Sequence, residues 1–153
     1  KNYVHIKTPY LILDSEMENA LMYAAWRGVD VSIIMPGIPD KKVPYALAKS
    51  HYPKLIKAGI RIYEFKDGFV HSKVFVMDDK EAVVGTINLD YRSLYHHFEN
   101  ACYLYKKNCI SDIEDDFKKT LMDCRKVHLH SVWAGYEYLR PVGFLAQAIA
   151  PLL

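Results

Sequence analysis

The sequence predicts an α/β domain in which a mixed β-sheet is flanked by helices. Three observations predict it. A strand pattern, a helical pattern and a second strand pattern follow one another within about thirty residues, the makings of a parallel crossover unit. Two further strand patterns sit four residues apart, which makes an antiparallel hairpin. Composition is that of an ordinary globular chain: 153 residues, 51% apolar and 25% charged, which excludes disorder, collagen and coiled coil and suits one domain.

The elements follow in order. Val4 to Thr8 alternates at period two before Pro9 and reads as a strand. Ser15 and Glu18 have capping-box spacing, and Met17, Ala20, Leu21, Ala24 and Ala25 repeat at helical intervals up to Gly28, placed to end the helix. Val29 to Met35 is the second strand, apolar enough to be buried on most of its length. Residues 36–40 form a loop, and a helix is expected from Pro44, kinked or divided at Pro53. Ile60 to Phe65 alternates as a third strand. Lys73 to Met77 and Ala82 to Val84 are the hairpin strands, joined by Asp78-Asp79-Lys80-Glu81. Phe98 to Tyr105 is another strand. Ser111 and Glu114 repeat the capping-box spacing before a helix whose face carries Ile113, Phe117, Leu121 and Cys124. Residues 131–153 form an apolar C-terminal tail of the single domain.

Charge and cysteines narrow the function. Twenty Lys and Arg against eighteen Asp and Glu give +2, so no strong basic field points to nucleic acid. No apolar run reaches the ~20 residues of a spanning helix. Cys102, Cys109 and Cys124 form no C-x-x-C pair and read as reduced thiols on the cytoplasmic side. The chain opens without a methionine, directly in a strand pattern, as a segment of a longer protein would. His96-His97 and His128/His130 lack a third ligand at useful spacing, so no metal and no cofactor is expected.

One stretch carries chemistry. His71, Lys73, Asp78, Gly85 and Asn88 form the pattern H-x-K-x4-D-x6-G-x2-N, which chance would produce in roughly one chain in 10⁵ at ordinary composition. Residues two apart on a strand project from one face, so His71 and Lys73 are expected to meet the same ligand. An imidazole is able to attack phosphorus and leave again. Lysine is a point charge suited to a phosphate oxygen. Asn88 returns beside them after the hairpin with an amide donor, and Gly85 permits close backbone approach to a bound phosphate. Together they suit phosphoryl-type transfer. Asp78 has a rival reading, because such residues also shape turns.

The pattern resembles the HKD motif of the phospholipase D superfamily at every fixed position. The resemblance continues through Asn88-Leu89-Asp90-Tyr91-Arg92-Ser93 and Phe98-Glu99-Asn100, and Arg27-Gly28-Val29-Asp30-Val31 and Ala150-Pro151-Leu152-Leu153 are similar to the C-terminal catalytic half of bacterial cardiolipin synthases. It implies a phospholipase D-like half domain, the second of two whose motifs meet across a pseudo-twofold axis. His71 is then the nucleophile or its acid–base counterpart, Lys73 and Asn88 bind phosphoryl oxygens, Asp78 is the motif aspartate, and Glu99 orients a motif histidine. Thr86 stands where the family commonly has serine and keeps the hydroxyl. Arg92 is a candidate for a lipid phosphate, an internal ion pair being the alternative.

The implied reaction joins two phosphatidylglycerol molecules into cardiolipin and glycerol. The implied partners are that phospholipid, a membrane surface, and an N-terminal HKD half or a homodimer mate. The implied setting is a bacterial cell membrane with the catalytic domain facing the cytoplasm, this chain itself being soluble. Water or serine as acceptor, giving a phospholipase, nuclease or phosphatidylserine synthase, and a non-catalytic headgroup- or partner-binding half domain remain the alternatives.

Overall fold

A computed structural model describes residues 2–152, so the terminal Leu153 of the last resembling segment lies outside the described residues. The chain forms β1 (Tyr3–Lys7), β2 (Leu11–Ile12), α1 (Ser15–Trp26), β3 (Asp30–Pro36), α2 (Lys42–Lys57), β4 (Arg61–Phe65), β5 (Val74–Met77), β6 (Glu81–Gly85), β7 (Leu89–Asp90), a π-helix (Arg92–His96), β8 (Ala101–Tyr105), α3 (Cys109–Met122), β9 (Cys124–Lys126) and α4 (Arg140–Ala146), with short 3₁₀ turns in the C-terminal part. Seven strands make one mixed sheet in the order β8-β6-β5-β1-β3-β4-β9, and β2 pairs with β7 in a separate ribbon. The central β1, β3 and β4 are parallel. The α/β class with a mixed sheet between helices is therefore the fold.

Period-two alternation explains how both sheet faces are covered. On β3, Val31, Ile33 and Met35 join Leu21 and Met22 of α1 and Tyr52 and Leu55 of α2 in the main core, while Ile34 packs with Phe117 of α3 on the opposite face. α3 is further held by His5 of β1, whose Nδ1 lies 3.0 Å from Glu114 Oε2 and whose ring stacks on Phe117 at 4.5 Å between centroids.

Both capping-box expectations are corrected. Asp14 caps α1, its Oδ1 accepting from the Met17 amide at 2.7 Å, and Ser15 is the first helical residue. Glu18 turns to α2, where it meets Lys54 and, at 3.2 Å, His51. α3 starts at Cys109, so Ser111 lies inside it, donating to the Asn108 carbonyl at 2.7 Å. In each case a long-range partner outbids the local cap for the glutamate. α2 starts at Lys42 rather than Pro44 and runs through Pro53 as one helix. Proline removes one backbone bond, but the buried face from Tyr45 to Leu55 holds the helix against the sheet. Cys124 belongs to β9, and β8 starts at Ala101 rather than Phe98.

A buried ion cluster ties the C-terminal part to this frame. Lys49 and Glu64 are 0% and 1% exposed. Lys49 Nζ donates to Glu64 Oε1 at 2.7 Å and to the Val132 carbonyl at 2.6 Å, and Arg125 Nη2 donates to Glu64 Oε2 at 2.7 Å. Burial pulls the Lys49 ammonium below its ordinary pKa, and the Glu64 charge opposes that. Removing one member of such a cluster strands the others. Glu64→Gln is expected to lower unfolding free energy by about 3 kcal/mol in urea titrations; a loss under about 1 kcal/mol would show that the cluster contributes little beyond packing.

Candidate active site

The site is assembled at one end of the β5–β6 hairpin. β5 begins at Val74, so His71 and Lys73 precede the strand rather than lying on it. Lys73 still extends the ladder, its carbonyl accepting from the Gly85 amide at 3.2 Å. The expected convergence is present. Lys73 Nζ lies 2.9 Å from His71 Nε2 and donates to the His71 carbonyl at 2.8 Å. An ammonium donating to Nε2 needs a lone pair there, which places the ring proton on Nδ1. His71 is exposed, and its ring lies 5.8 Å from that of Phe69, which in turn lies 6.4 Å from Tyr10. Partial burial lowers the Lys73 pKa, with the charges of Glu99 and Asp90 acting the other way.

Glu99 is built into the hairpin's neighbour. Its carboxylate accepts from Thr86 Oγ1 and, at 2.7 Å, from Ser93 Oγ, and lies 3.9 Å from His97 Nδ1. The two hydroxyl donors hold its carboxyl below the usual pKa, helped by His97 and Lys73. Its polar partners are thus Thr86, Ser93 and His97, not His71. Thr86 also receives the Asn100 amide at 3.0 Å on Oγ1. Thr86→Val removes both contacts. The Glu99 pKa is expected to rise toward its ordinary value, so the acidic limb of the activity profile moves to higher pH, whereas Thr86→Ser keeps it in place; an unmoved limb in the valine variant would separate Glu99 from the site's titration.

The π-helix explains how residues from 88 to 99 converge. Its wide turn, closed by the His97 amide on the Arg92 carbonyl at 2.9 Å, is a feature frequent at functional sites. Buried Asp90 fixes its start by accepting from the Ser93 amide at 2.7 Å. Asn88, Asp90, Arg92 and His97 line a cavity of about 390 Å³ together with Tyr10 and Lys41. Asn88 Oδ1 is buried and has no hydrogen-bond partner among the described residues.

Two expected members play other parts. Asp78 sits at the far end of β5, roughly 17 Å along the strand from Lys73 at ordinary strand rise. Its Oδ1 accepts from the amides of Asn2 and Tyr3 at 2.7 and 2.9 Å, and its φ is 55°. The structure does not bring it to His71; it fastens the turn to the N-terminal strand. Gly85 has a close approach to make, but to β8: a Cβ there would lie 2.3 Å from the Asn100 carbonyl oxygen. Sequence reasoning missed Ser93, Asp90, Tyr10 and Lys41. Asp90 three residues before Ser93 is a side-chain turn spacing that was available to find; the other two come from distant segments and leave no local signal. Among the described residues, no group of three His, Cys, Asp or Glu is placed to hold a metal, and no helix is long and apolar enough to cross a membrane.

Residues 1–121 match the profile of the family described as "Cardiolipin synthase, PLD-like domain". The chain belongs to that family. This PLD-like domain is 60% identical over its whole length to an uncharacterized protein of Streptococcus mutans serotype c, of which it covers 33%, and 39% identical over 150 residues, 98% of the chain, to cardiolipin synthase 2 of Bacillus cereus, of which it covers 29%. The PLD-like domain thus spans about a third of the length of the curated relatives it matches. Its fold is shared with the phosphatidylserine synthase of Haemophilus influenzae (TM-score 0.77, 20% identity, 99% of this chain and 40% of that one) and with Nuc, a phospholipase D family member of Salmonella typhimurium (TM-score 0.74, 17% identity, 84% and 83%).

Proposed function

We propose that this domain supplies one half of a two-motif site that transfers a phosphatidyl group between two phosphatidylglycerol molecules, giving cardiolipin and glycerol. The observation that carries the reading is the 2.9 Å approach of Lys73 Nζ to Nε2 of an exposed imidazole. A phosphate oxygen arriving at that pair takes the ammonium's hydrogen bond and frees the Nε2 lone pair to face phosphorus.

One motif histidine attacks the phosphodiester; a P–N bond forms, and the P–O bond to the headgroup glycerol breaks. The second motif histidine gives its proton to the leaving alkoxide. It then takes the proton of a hydroxyl on the second phosphatidylglycerol, whose oxygen attacks phosphorus and breaks the P–N bond. His71 fills one of these two roles. Lys73 and Asn88 hold the phosphoryl oxygens as their charge grows, the kind of fixed stabilisation that lowers such barriers most. Glu99, poised as an anion, orients the imidazole of the second motif by holding one ring N–H. That second imidazole belongs to an N-terminal HKD half of the native polypeptide or to a homodimer mate. The former is supported by relatives about three times as long as the chain. A phospholipid substrate calls for a site that works at a bacterial membrane surface, and the proposal puts it on the cytoplasmic face.

Product analysis tests this. The native polypeptide that carries this chain, given phosphatidylglycerol with labelled headgroup glycerol, should release one labelled glycerol per cardiolipin. Release of phosphatidic acid, or of phosphatidylserine when serine is added, with no cardiolipin, would contradict it.

A further inference from the structure

We infer that the cavity beside the motif, through Arg92 and Lys41, binds the phosphodiester of the acceptor lipid. The inference rests on the phosphatidyl-transfer reading and names the acceptor's site within it.

When the acceptor is itself a phosphatidylglycerol, the reacting assembly carries two phosphodiesters one glycerol bridge apart. His71 and Lys73, 2.9 Å apart, form the pair for one of them. A second phosphodiester entering without cations of its own would add like charge to a site already holding an anion. A neutral acceptor such as water or glycerol makes no such demand. A protein that selects a lipid acceptor therefore needs a second group of cations within one glycerol length of the reacting phosphorus.

The cavity beside the motif offers such a group. Asn88, one of the motif residues, lines it, and Asp90, also in its wall, lies near enough for its charge to act on Lys73. Lys41 enters from the loop before α2 and Arg92 from the first residue of the π-helix. Neither side chain has a carboxylate partner among the described residues. Of the other polar groups lining it, buried Asp90 accepts from the Ser93 amide, and His97 lies 3.9 Å from Glu99. Two unpaired cations thus face one cavity of about 390 Å³, enough for a headgroup. Arginine offers two parallel donors to a phosphate and lysine a mobile point charge.

Acceptor competition in the native polypeptide tests the inference. Unlabelled phosphatidylglycerol vesicles are offered with labelled free glycerol. Transfer to lipid is read as cardiolipin, and transfer to glycerol as labelled phosphatidylglycerol. The ratio of cardiolipin to exchanged phosphatidylglycerol is expected to fall at least tenfold in Arg92→Gln and in Lys41→Gln, and to recover in Arg92→Lys. A ratio within twofold of wild type in both glutamine variants overturns the inference. So does parallel loss of both products, which would place these cations on the shared chemical step or on the fold. L-serine, a small acceptor that bears a carboxylate, separates the sources of that charge: wild-type protein that prefers serine to the lipid assigns the cavity to a free carboxylate and overturns the lipid assignment. Wild-type protein that forms neither transfer product overturns the underlying transfer reading and the inference with it.

Discussion

His71→Ala is expected to lower transfer in the native polypeptide by at least about 10⁴-fold, with the fold intact. The magnitude follows from either role. As nucleophile, the imidazole divides one difficult displacement into two easier ones, and without it a direct lipid-to-lipid displacement is required. As acid–base partner it protonates an alkoxide leaving group, and without it the glycerol leaves as a strong base. The ring is exposed, and its contacts are Lys73 and the edge of Phe69, so truncation opens no cavity in the core. Unfolding midpoints within a few degrees of wild type are therefore expected beside the lost rate. Turnover within tenfold of wild type would remove His71 from the mechanism. Trapping separates the roles: acid-quenched phosphatidyl-enzyme accumulates on the peptide that carries the nucleophile, and on no other.

Lys73→Gln is expected to reduce transfer about 10²- to 10³-fold, the usual loss when one preorganised charge at a developing anion is removed. Lys73 acts on two things at once. It sits where its charge balances Glu99 and Asp90, and it donates to the nitrogen of His71. Glutamine keeps a hydrogen-bond donor and loses the charge, so the test isolates electrostatics. Burial already biases this lysine toward losing its proton. Its folded-state pKa is lowered, so the site is expected to lose activity on the alkaline side before an ordinary lysine would deprotonate, and that alkaline limb is expected to be absent from the variant's residual rate. A variant with unchanged rate and profile would show that the ammonium does not touch the reacting phosphate.

What the sequence discloses and what it hides divide along the range of the interactions involved. Alternation along residues 31–35 discloses a two-faced buried strand because burial follows the pleat. The H-x-K spacing discloses that His71 and Lys73 converge, since two residues of extended chain suffice to bring them together whether or not a strand is formed. Glu18 and Glu114 are misread because capping-box spacing describes only local opportunity. His51, Lys54 and His5 are distant in sequence, and once the chain has folded they offer each carboxylate a better partner. Gly85 is disclosed as a close approach, and the group that approaches it is the backbone at Asn100. The π-helix has no sequence period to betray it. It is held from outside by Asp90 and by the Ser93–Glu99 bond, so the gathering of residues 88–99 around one cavity is a property of tertiary structure. Lys41 joins them only because α2 begins where β3 delivers it.

In the proposed mechanism His71 and Lys73 jointly grip one phosphodiester. A crystal structure of the native polypeptide with inorganic phosphate bound tests it most directly. One phosphate is expected with an oxygen on Lys73 Nζ and its phosphorus facing His71 Nε2, the lysine having exchanged its bond to the ring for one to the anion. A phosphate held elsewhere at saturation, with the histidine–lysine contact of 2.9 Å left closed, would contradict it.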